Sequence, residues 1–369
     1  MLVSTAAVYA VRYTARVSAE LAAEIKRFAV GELGFALAGV TTADPPAGGR
    51  HLASWLAEGC HGTMAYLARN ADVRLDPRRF LPGARSVVCV AMSYHDPPTG
   101  VAMETDAAVS IAAYARRPDY HRVIRKRLLR LGRFLAERVP EASWRPAVDT
   151  APVLEKELAA RAGLGWIGKN SCLVNRTLGS WTLLGELVTD VELPPDRPEN
   201  DHCGTCSACL DACPTGAFTA ARRLDARRCL AYVTIEHRGP LPGSVLPSLG
   251  DRLFGCDSCQ DACPWNRRAR PACAAPLAPR PQLAALNRRQ LEHTRAPEWA
   301  ALTAGTPLRR LDLPRMRRNL EGMAPAGPGT GARGVPSLTF RPDPTIKPAP
   351  EGSERSFAEV QARRTHQEE

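Results

Sequence analysis

Two closely spaced cysteine motifs in the second half of the chain constrain its fold more than any other feature. The first motif contains Cys203, Cys206, Cys209 and Cys213 and is followed by Pro214. In this spacing, C-x2-C-x2-C-x3-C-P, three thiolates bind one iron-sulfur cluster and the fourth binds a neighbouring cluster. The first motif therefore predicts two adjacent clusters of the 4Fe-4S type.

The second motif is shorter and contains Cys256, Cys259 and Cys263 followed by Pro264. It lacks the first cysteine of a complete motif, so one ligand must come from elsewhere in the chain. Cys229 lies between the two motifs and is the natural replacement. The ligands predicted for the first cluster are Cys203, Cys206, Cys209 and Cys263, and those predicted for the second are Cys213, Cys229, Cys256 and Cys259.

A pair of zinc sites is the alternative explanation, because C-x2-C pairs also bind zinc. Zinc sites require neither the terminal Cys-Pro nor an exchange of ligands between the motifs, so we favour iron-sulfur clusters. The remaining cysteines lack metal-type spacing and are expected to be ordinary thiols without a role. They are Cys60, Cys89, Cys172 and Cys273.

The length and composition indicate a globular protein of more than one domain. At 369 residues the chain exceeds the size at which a single hydrophobic core usually stops growing. The net charge of +11 suits a polyanionic partner such as nucleic acid, although it would equally serve solubility. Residues 1–17 resemble a signal peptide only weakly, and no run of about 18 uncharged apolar residues occurs. We therefore expect a cytoplasmic protein that does not span a membrane.

Hydrophobic patterning predicts helices that alternate with buried strands before the cysteine motifs. Thr150 favours the start of one helix, which places Asp149 at the mouth of that helix. Apolar residues at helical spacing predict two further helices, over 18–32 and 120–139. Apolar runs predict strands over 35–40, 86–92 and 181–189.

The predicted helix over 120–139 is basic as well as amphipathic. Its basic residues could contact phosphate groups, or they could simply form a solvated helix face with extended side chains. Both roles are compatible with each other. The basic residues are Arg122, Arg125, Lys126, Arg130 and Arg133.

These patterns predict an α/β fold followed by a ferredoxin-like module with two 4Fe-4S clusters and a short helical C-terminal region. Two clusters alone describe an electron relay, so the long segment before them should hold the site that the electrons reach. The predicted divisions are an N-terminal extension at 1–17, an α/β domain at 18–198, the cluster module at 199–270, a helical region at 271–323 and a disordered tail at 324–369.

Several longer segments carry a resemblance to a known family. The two most specific are VDTAPVLEK at 148–156 and GLGWIGKN at 163–170. Through these segments the chain resembles the epoxyqueuosine reductases, and the similarity extends over about 18–322. Shorter matching segments lie at 62–67, Arg74, 76–78, 119–121, 232–236, 255–259 and 264–266.

The resemblance implies an enzyme that reduces the epoxide of epoxyqueuosine in tRNA to queuosine. It implies a cobalamin held in the α/β domain, without its base bound to cobalt, beside two clusters that deliver electrons to it. It also implies that Asp149 donates a proton as the epoxide oxygen leaves. The expected partners are the tRNA and an unidentified low-potential electron donor, and the protein is expected to act as a monomer.

Elementary chemistry is consistent with this role for Asp149. Breaking a carbon-oxygen bond generates an alkoxide, which a nearby carboxylic acid can neutralise. To act as an acid near neutrality, Asp149 needs a pKa raised above its usual value of about 3.9, through burial against the corrin and apolar neighbours such as Trp166. The alternative is that Asp149 only caps a helix.

Further residues are candidates for the cobalamin pocket, to which Asp149 is also assigned. Lys169 and Asn170 follow a glycine-rich turn, where their donors can meet the amides or phosphate of a cobalamin tail. Arg74, Thr234 and Asp257 are expected in the same pocket. For each of these five residues, a contact that merely stabilises a loop or the surface is the alternative.

Two other functions compete with the predicted enzyme. A reductive dehalogenase has a similar arrangement of cobalamin and paired clusters but acts on a small organohalide. A non-catalytic electron-transfer or corrinoid-binding protein would need the clusters and would not need Asp149. Turnover of the tRNA separates these possibilities.

Overall fold

The computed structural model describes residues 5–95, 109–271 and 274–323, and it describes side chains from Val17 onward. Cys273 and the predicted tail at 324–369 lie outside the described residues. Within the described ranges, no helix is both long enough and apolar enough to cross a membrane.

A four-stranded sheet forms the centre of the first half, with the strand order β1-β2-β7-β4. All three pairings in it are antiparallel, and Val88 in β2 lies between Val40 in β1 and Leu187 in β7. The strands are β1 Leu37–Thr42, β2 Ser86–Ser93, β3 Ser110–Ile111, β4 Trp144–Ala147, β5 Trp166–Ile167, β6 Leu173–Val174, β7 Thr182–Thr189, β8 Phe218–Ala220, β9 Arg223–Leu224 and β10 Arg252–Phe254.

Helices connect and cover these strands. They are α1 Thr5–Gly31, α2 Gly49–Ala57, α3 Ala65–Arg69, α4 Ala71–Arg74, α5 Pro77–Phe80, α6 Tyr120–Arg138, α7 Glu155–Arg161, α8 Ala208–Asp211, α9 Leu230–Ile235, α10 Leu246–Leu249, α11 Ser258–Asp261, α12 Pro264–Arg267, α13 Pro281–Ala284, α14 Arg288–His293, α15 Ala296–Thr303 and α16 Leu313–Gly322. Short 3-10 helices lie at Ala113–Arg116, Ala226–Arg228, Ala275–Leu277 and Pro307–Arg310.

Every residue of β2 is buried because helices cover both faces of the sheet. Side chains alternate between the two faces of a strand. Val88 and Val90 therefore pack with α1 and α6, whereas Cys89 packs with α7 on the opposite face. Strands buried on both faces read as continuous apolar runs, which is why the pattern of the sequence located β1, β2 and β7.

The patterns predicted which helices and strands exist better than they predicted where these begin. The helix α6 and the three predicted strands are confirmed. The first helix starts at Thr5 and not near residue 18, and the helix after Asp149 starts at Glu155 and not at Thr150. The intervening residues form turns, in which Ala151 donates to the Val148 carbonyl.

The cysteine motifs and the C-terminal helices share a hydrophobic core. Phe254 of β10, Leu230 of α9 and Leu320 of α16 are all buried in it. The side-chain amide of Asn319 in α16 donates to the carbonyls of Thr234 and Leu253, so it joins α16 to α9 and β10. All described residues belong to one compact unit, and the domain boundaries at 198 and 270 stay predictions.

Candidate active site and cluster-binding cysteines

Asp149 lies in a tight turn between β4 and α7. Its φ is 43°, in the left-handed region that aspartate tolerates better than most residues other than glycine. Glu155, the first residue of α7, accepts the backbone N–H of Asp149 through Oε1. The turn leaves the Asp149 carboxylate partly exposed, with 38% of its side chain accessible, so it can meet a ligand.

His121, at the start of α6, joins Asp149 to a second carboxylate. Its Nε2 lies 2.8 Å from Asp149 Oδ2, and its Nδ1 lies 2.8 Å from Asp119 Oδ1. Asp119 also caps α6 by accepting the backbone N–H of His121, which fixes where the ring can lie. Arg310 approaches the same carboxylate of Asp149 at 3.9 Å.

These charges decide where the proton resides. Burial alone would raise the pKa of Asp149, but the hydrogen bond and charge of His121, together with Arg310, hold that pKa below its ordinary value. The predicted rise in the pKa of Asp149 is therefore wrong for this arrangement. Burial favours the neutral ring of His121, but hydrogen bonds to Asp119 and Asp149 outweigh it and raise the pKa of His121 to about 9. At neutral pH the pair thus carries one proton, which lies on His121.

Four cysteines form what we call the first cysteine group, namely Cys203, Cys206, Cys209 and Cys263. Burial raises the pKa of Cys209 to about 11, with further contributions from the thiols of the other three. The pKa of Cys263 is also raised by burial and by Cys203 and Cys206. Because such effects require proximity, the structure brings together one cysteine of the second motif and three of the first.

The second cysteine group contains Cys213, Cys229, Cys256 and Cys259. Burial raises the pKa of Cys229, and Cys256 and Cys213 raise it further. Burial likewise raises the pKa of Cys259, to which Cys172, Cys256 and Cys229 contribute. Cys172 thus lies beside this group although no role was predicted for it. The short helices α8 and α11, which carry Cys209 and Cys259, pack against each other.

The donor set of the two cysteine groups can be compared with what metal sites require. Among the described residues, no three His, Cys, Asp or Glu side chains are close enough to bind a single metal ion. A zinc ion holds thiolates at about 2.3 Å from the metal. Eight thiols in two groups of four are the donor set that two 4Fe-4S clusters require, so the residues present fit those cofactors.

The residues predicted for the cobalamin pocket differ in what they contact. Arg74 is buried, its Nε has no hydrogen-bond partner among the described residues, and its Nη1 is within 3.4 Å of the Ala151 carbonyl. Lys169 donates instead to the carbonyls of Gly204 and Cys206, which ties it to the first motif. Among the residues predicted for this pocket, only Arg74 therefore has a free hydrogen-bond donor beside the Asp149 turn.

The other three predicted residues are engaged within the protein. Asn170 donates to the Cys259 carbonyl, and Asp257 accepts the backbone N–H of Ala113 at 2.7 Å. Thr234 is fully buried, donates to the Leu230 carbonyl and accepts from the backbone N–H of Gly255. These contacts match the alternative in which such residues stabilise loops, and Asn170 and Thr234 do so beside the cluster-binding cysteines.

An open pocket of about 270 Å³ adjoins the His121 side of the site. Arg122 and Arg309 are exposed at this pocket, and Arg310 extends from it toward Asp149. The guanidinium groups suit a phosphate-bearing ligand. The lining residues are Asp119, His121, Arg122, Gly305, Thr306, Pro307, Arg309 and Arg310.

The sequence did not assign roles to His121, Asp119, Arg310 or Glu155. The first two lie in a matching segment at 119–121, which was a usable signal for a site. Arg310 lies 161 positions after Asp149, and no spacing rule connects residues so far apart in the chain. Only the fold brings the C-terminal region to the active site.

Comparisons with known proteins identify the family. A family model described as "Epoxyqueuosine reductase QueG, DUF1730" matches residues 74–150, and one described as "4Fe-4S double cluster binding domain" matches residues 202–266. An epoxyqueuosine reductase of Pseudomonas aeruginosa is 43% identical over 305 residues, which cover 82% of this chain and 84% of that protein.

Solved structures of the same kind share the fold. A crystal structure of epoxyqueuosine reductase with an epoxyqueuosine-modified tRNA-Tyr stem loop has a TM-score of 0.76 at 28% identity, covering 83% of this chain and 81% of that chain. The Bacillus subtilis enzyme, solved with its catalytic aspartate loop swung out of the active site, has a TM-score of 0.74 at 27% identity and covers 83% and 81% of the two chains.

The matched ranges contain the His121–Asp149 pair and both cysteine groups. The first includes His121 and ends just after Asp149, and the second includes all eight cysteines of the two groups. Together with the identity to a full-length relative, this shows that the chain belongs to the epoxyqueuosine reductase family.

Proposed function

We propose that this protein reduces epoxyqueuosine in tRNA to queuosine. Removal of the epoxide oxygen consumes two electrons and two protons and releases water. The observation that carries the proposal is the hydrogen-bonded His121–Asp149 pair, which lies in one compact unit with eight cysteines suited to two 4Fe-4S clusters. The site thus combines a proton source with an electron source.

The two cysteine groups are the proposed ligand sets of the two clusters. Because each group takes at least one ligand from the other motif, the clusters lie next to each other and can exchange electrons. Trp166 donates its indole N–H toward Cys203 Sγ at 3.4 Å, and the backbone N–H of Ala217 lies 3.2 Å from Cys213 Sγ. Hydrogen bonds of this kind to cluster thiolates adjust the reduction potential.

Cobalamin is the proposed third cofactor, and Arg74 is the residue best placed to hold it. Its buried Nε lacks a partner among the described residues and lies beside the Asp149 turn, so it fits an acceptor group of the cofactor. When bound, cobalamin supplies the reducing power that cleaves the carbon-oxygen bond. Asn170, Lys169, Thr234 and Asp257 shape the surrounding loops in this proposal through the contacts described above.

Asp149 and His121 act together as the proposed acid. The carboxylate of Asp149 is partly exposed and faces the ligand, whereas the proton is held on His121. As negative charge develops on the leaving oxygen, the proton passes from His121 to Asp149 across their 2.8 Å contact and from Asp149 to that oxygen. The second proton, which completes the released water, comes from the solvent. Asp119 keeps the ring oriented and stabilises its positive charge.

The tRNA is proposed to reach the site over the basic surface beside it. Arg122 and Arg309 at the pocket, with the exposed basic side chains of α6, can contact the phosphates. The electrons are proposed to come from an external low-potential donor, and the protein is proposed to act as a cytoplasmic monomer.

Salt should weaken binding of the tRNA steeply if these phosphate contacts form. Each neutralised phosphate contributes a slope of about −0.7 to −0.9 in a plot of log affinity against log salt. The variant R122Q/R309Q removes two such contacts and should lower the steepness by about 1.4 to 1.8. Filter binding across a salt series measures this slope.

The control for this measurement is R85Q, because Arg85 is an exposed residue that pairs with Glu192 and lies neither on α6 nor at the pocket. That variant should keep the slope of the wild type. An unchanged slope in R122Q/R309Q would show that the arginines of the pocket do not contact the tRNA phosphates.

The experiment that tests the function is incubation of the anaerobically reconstituted protein with cobalamin, a strong reductant and tRNA that carries epoxyqueuosine. We expect queuosine to accumulate. The proposal would be refuted if the protein contained iron and corrinoid but left the epoxide intact, and instead reduced an organohalide or only passed electrons on.

A further inference from the structure

Two carboxyl groups near Asp149 have no part in the proton transfer proposed above. Glu155 accepts the backbone N–H of Asp149, as described. Glu186, in the central strand β7, is fully buried, and neither of its carboxyl oxygens has a hydrogen-bond partner among the described residues. Buried polar groups without partners are costly, so their presence beside a catalytic turn calls for a role.

The geometry of the turn requires a contact that holds it. Asp149 has a positive φ, and a residue other than glycine stays in such a conformation only when its surroundings enforce it. Glu155 supplies the contact, because its carboxyl oxygen is the acceptor for the one backbone donor of Asp149. With that N–H fixed, the Asp149 carboxylate points to His121 at 2.8 Å.

Glu186 lies on the face of the sheet that α7 covers. In the sheet it pairs with Ala147 of β4 and with Cys89 of β2, and it shares its face of β7 with Val188. That face packs on α7, the helix that Glu155 begins. Burial raises the pKa of Glu186 well above its ordinary value, with a further rise from Glu155 and Asp149, so the surroundings favour its neutral form.

Glu155, in contrast, changes its charge near neutrality. Burial raises its pKa to about 7, and the negative charge of Asp149 contributes to that rise. An ionised carboxylate is a stronger acceptor for a backbone N–H than a protonated one. The strength of the contact with the turn therefore depends on pH in the range where the enzyme works.

We propose that Glu155 is a positioning residue whose carboxylate holds the Asp149 turn against His121, and that the turn loosens when Glu155 takes up a proton. The inference rests on the proposed function and adds that pH regulates the position of the catalytic aspartate. It assigns to Glu186 the supporting role of a neutral group below α7, which places no second negative charge beside Glu155.

The groups around Glu155 allow this assignment. Tyr120 and Cys89 also lie within reach, but burial keeps their pKa values above the ordinary ones, so they stay neutral in this range. The pKa of Asp149 is held below its ordinary value by His121 and Arg310, so Asp149 does not change charge near pH 7. The charged or titratable groups that face Glu155 are Asp149, His121, Lys156, Arg74 and Glu186.

The pH profile of turnover follows from these two groups. Turnover should fall below about pH 7, where Glu155 becomes protonated, and above about pH 9, where His121 loses its proton. Glu155→Gln keeps an oxygen that accepts the N–H of Asp149 but cannot ionise. Because its neutral amide resembles the protonated acid, this variant should lower turnover at the optimum to the level that the wild type has below pH 7, and it should lose the acidic limb. Glu155→Ala removes the acceptor and should slow turnover at the optimum on the order of 100-fold.

A second readout follows the turn itself and does not need turnover. Hydrogen exchange of the peptide that contains Asp149, measured by mass spectrometry at one pH above 7, should become faster in Glu155→Gln and faster still in Glu155→Ala. The matched control is Glu157→Gln on the same helix, whose carboxylate accepts the N–H of Gly48 away from the site. That control should keep both the pH profile and the exchange rate.

The outcomes separate this inference from the proposed function. Unchanged exchange in Glu155→Ala, or an acidic limb that persists in Glu155→Gln, would overturn the role of Glu155 while wild-type turnover stands. If the acidic limb disappears in Glu186→Gln and not in Glu155→Gln, the titrating group is Glu186. That result would also overturn the role of Glu155. Absence of wild-type turnover would refute the function, and the exchange measurement would still decide on the contact.

Discussion

Replacement of Asp149 by Asn should slow epoxide reduction by about 10²- to 10⁴-fold while both clusters stay bound. The amide cannot deliver a proton to the leaving oxygen, and it removes a negative charge that helps keep His121 protonated. Single-turnover kinetics, with iron content measured on the same preparation, test this expectation. The matched control is Asp72→Asn, because Asp72 is an exposed carboxylate that pairs with Arg79.

The pH dependence provides a sharper test of the same pair. In the wild type, the raised pKa of His121 keeps the proton available up to about pH 9, so turnover is lost as the pH rises through that value. Without the charge of Asp149 the pKa of His121 falls, so the residual turnover of D149N should be lost at a lower pH. Full turnover in this variant with an unshifted profile would remove Asp149 from the mechanism.

Replacement of Cys229 by Ala should remove one cluster and leave the other. Cys229 was assigned as a ligand because the second motif lacks a cysteine, and the structure places it near Cys256 and Cys213. Iron content should fall from about eight to about four atoms per chain. Turnover should be lost, since the path for electrons is interrupted. Iron analysis and the absorption spectrum of the anaerobic protein measure both effects.

Cys172 is the matched control for this replacement, because it is a half-buried thiol beside Cys259 that no motif includes. The variant C172A should keep about eight iron atoms per chain. If C172A lost iron and C229A kept it, Cys172 and not Cys229 would complete the second cluster.

The parts of the site that the sequence could predict are those set by local spacing. The sequence pattern grouped the cysteines because short turns between them leave few ways to place four thiolates around a cubane. The buried runs of β2 and β7 were equally local signals. In contrast, the alternation of helices with strands did not predict that the sheet would be antiparallel, because strand direction depends on how the connections cross.

The parts that could not be predicted depend on contacts between distant segments. The pKa of Asp149 is lowered because α6 and the C-terminal region bring His121 and Arg310 to it, and neither neighbour is evident from the sequence around residue 149. Likewise, Lys169 follows a glycine-rich turn that suggested a ligand contact, yet the fold places carbonyls of the first cysteine motif within its reach.

The measurement that tests the central claim most directly is a single turnover driven by the clusters alone. The protein with cobalamin bound is reduced anaerobically, the excess reductant is removed, and tRNA that carries epoxyqueuosine is added. We predict that the nucleoside loses one oxygen atom, as seen by mass spectrometry, while the cluster absorbance returns to that of the oxidised form. Clusters that stay reduced beside an intact epoxide would contradict the account.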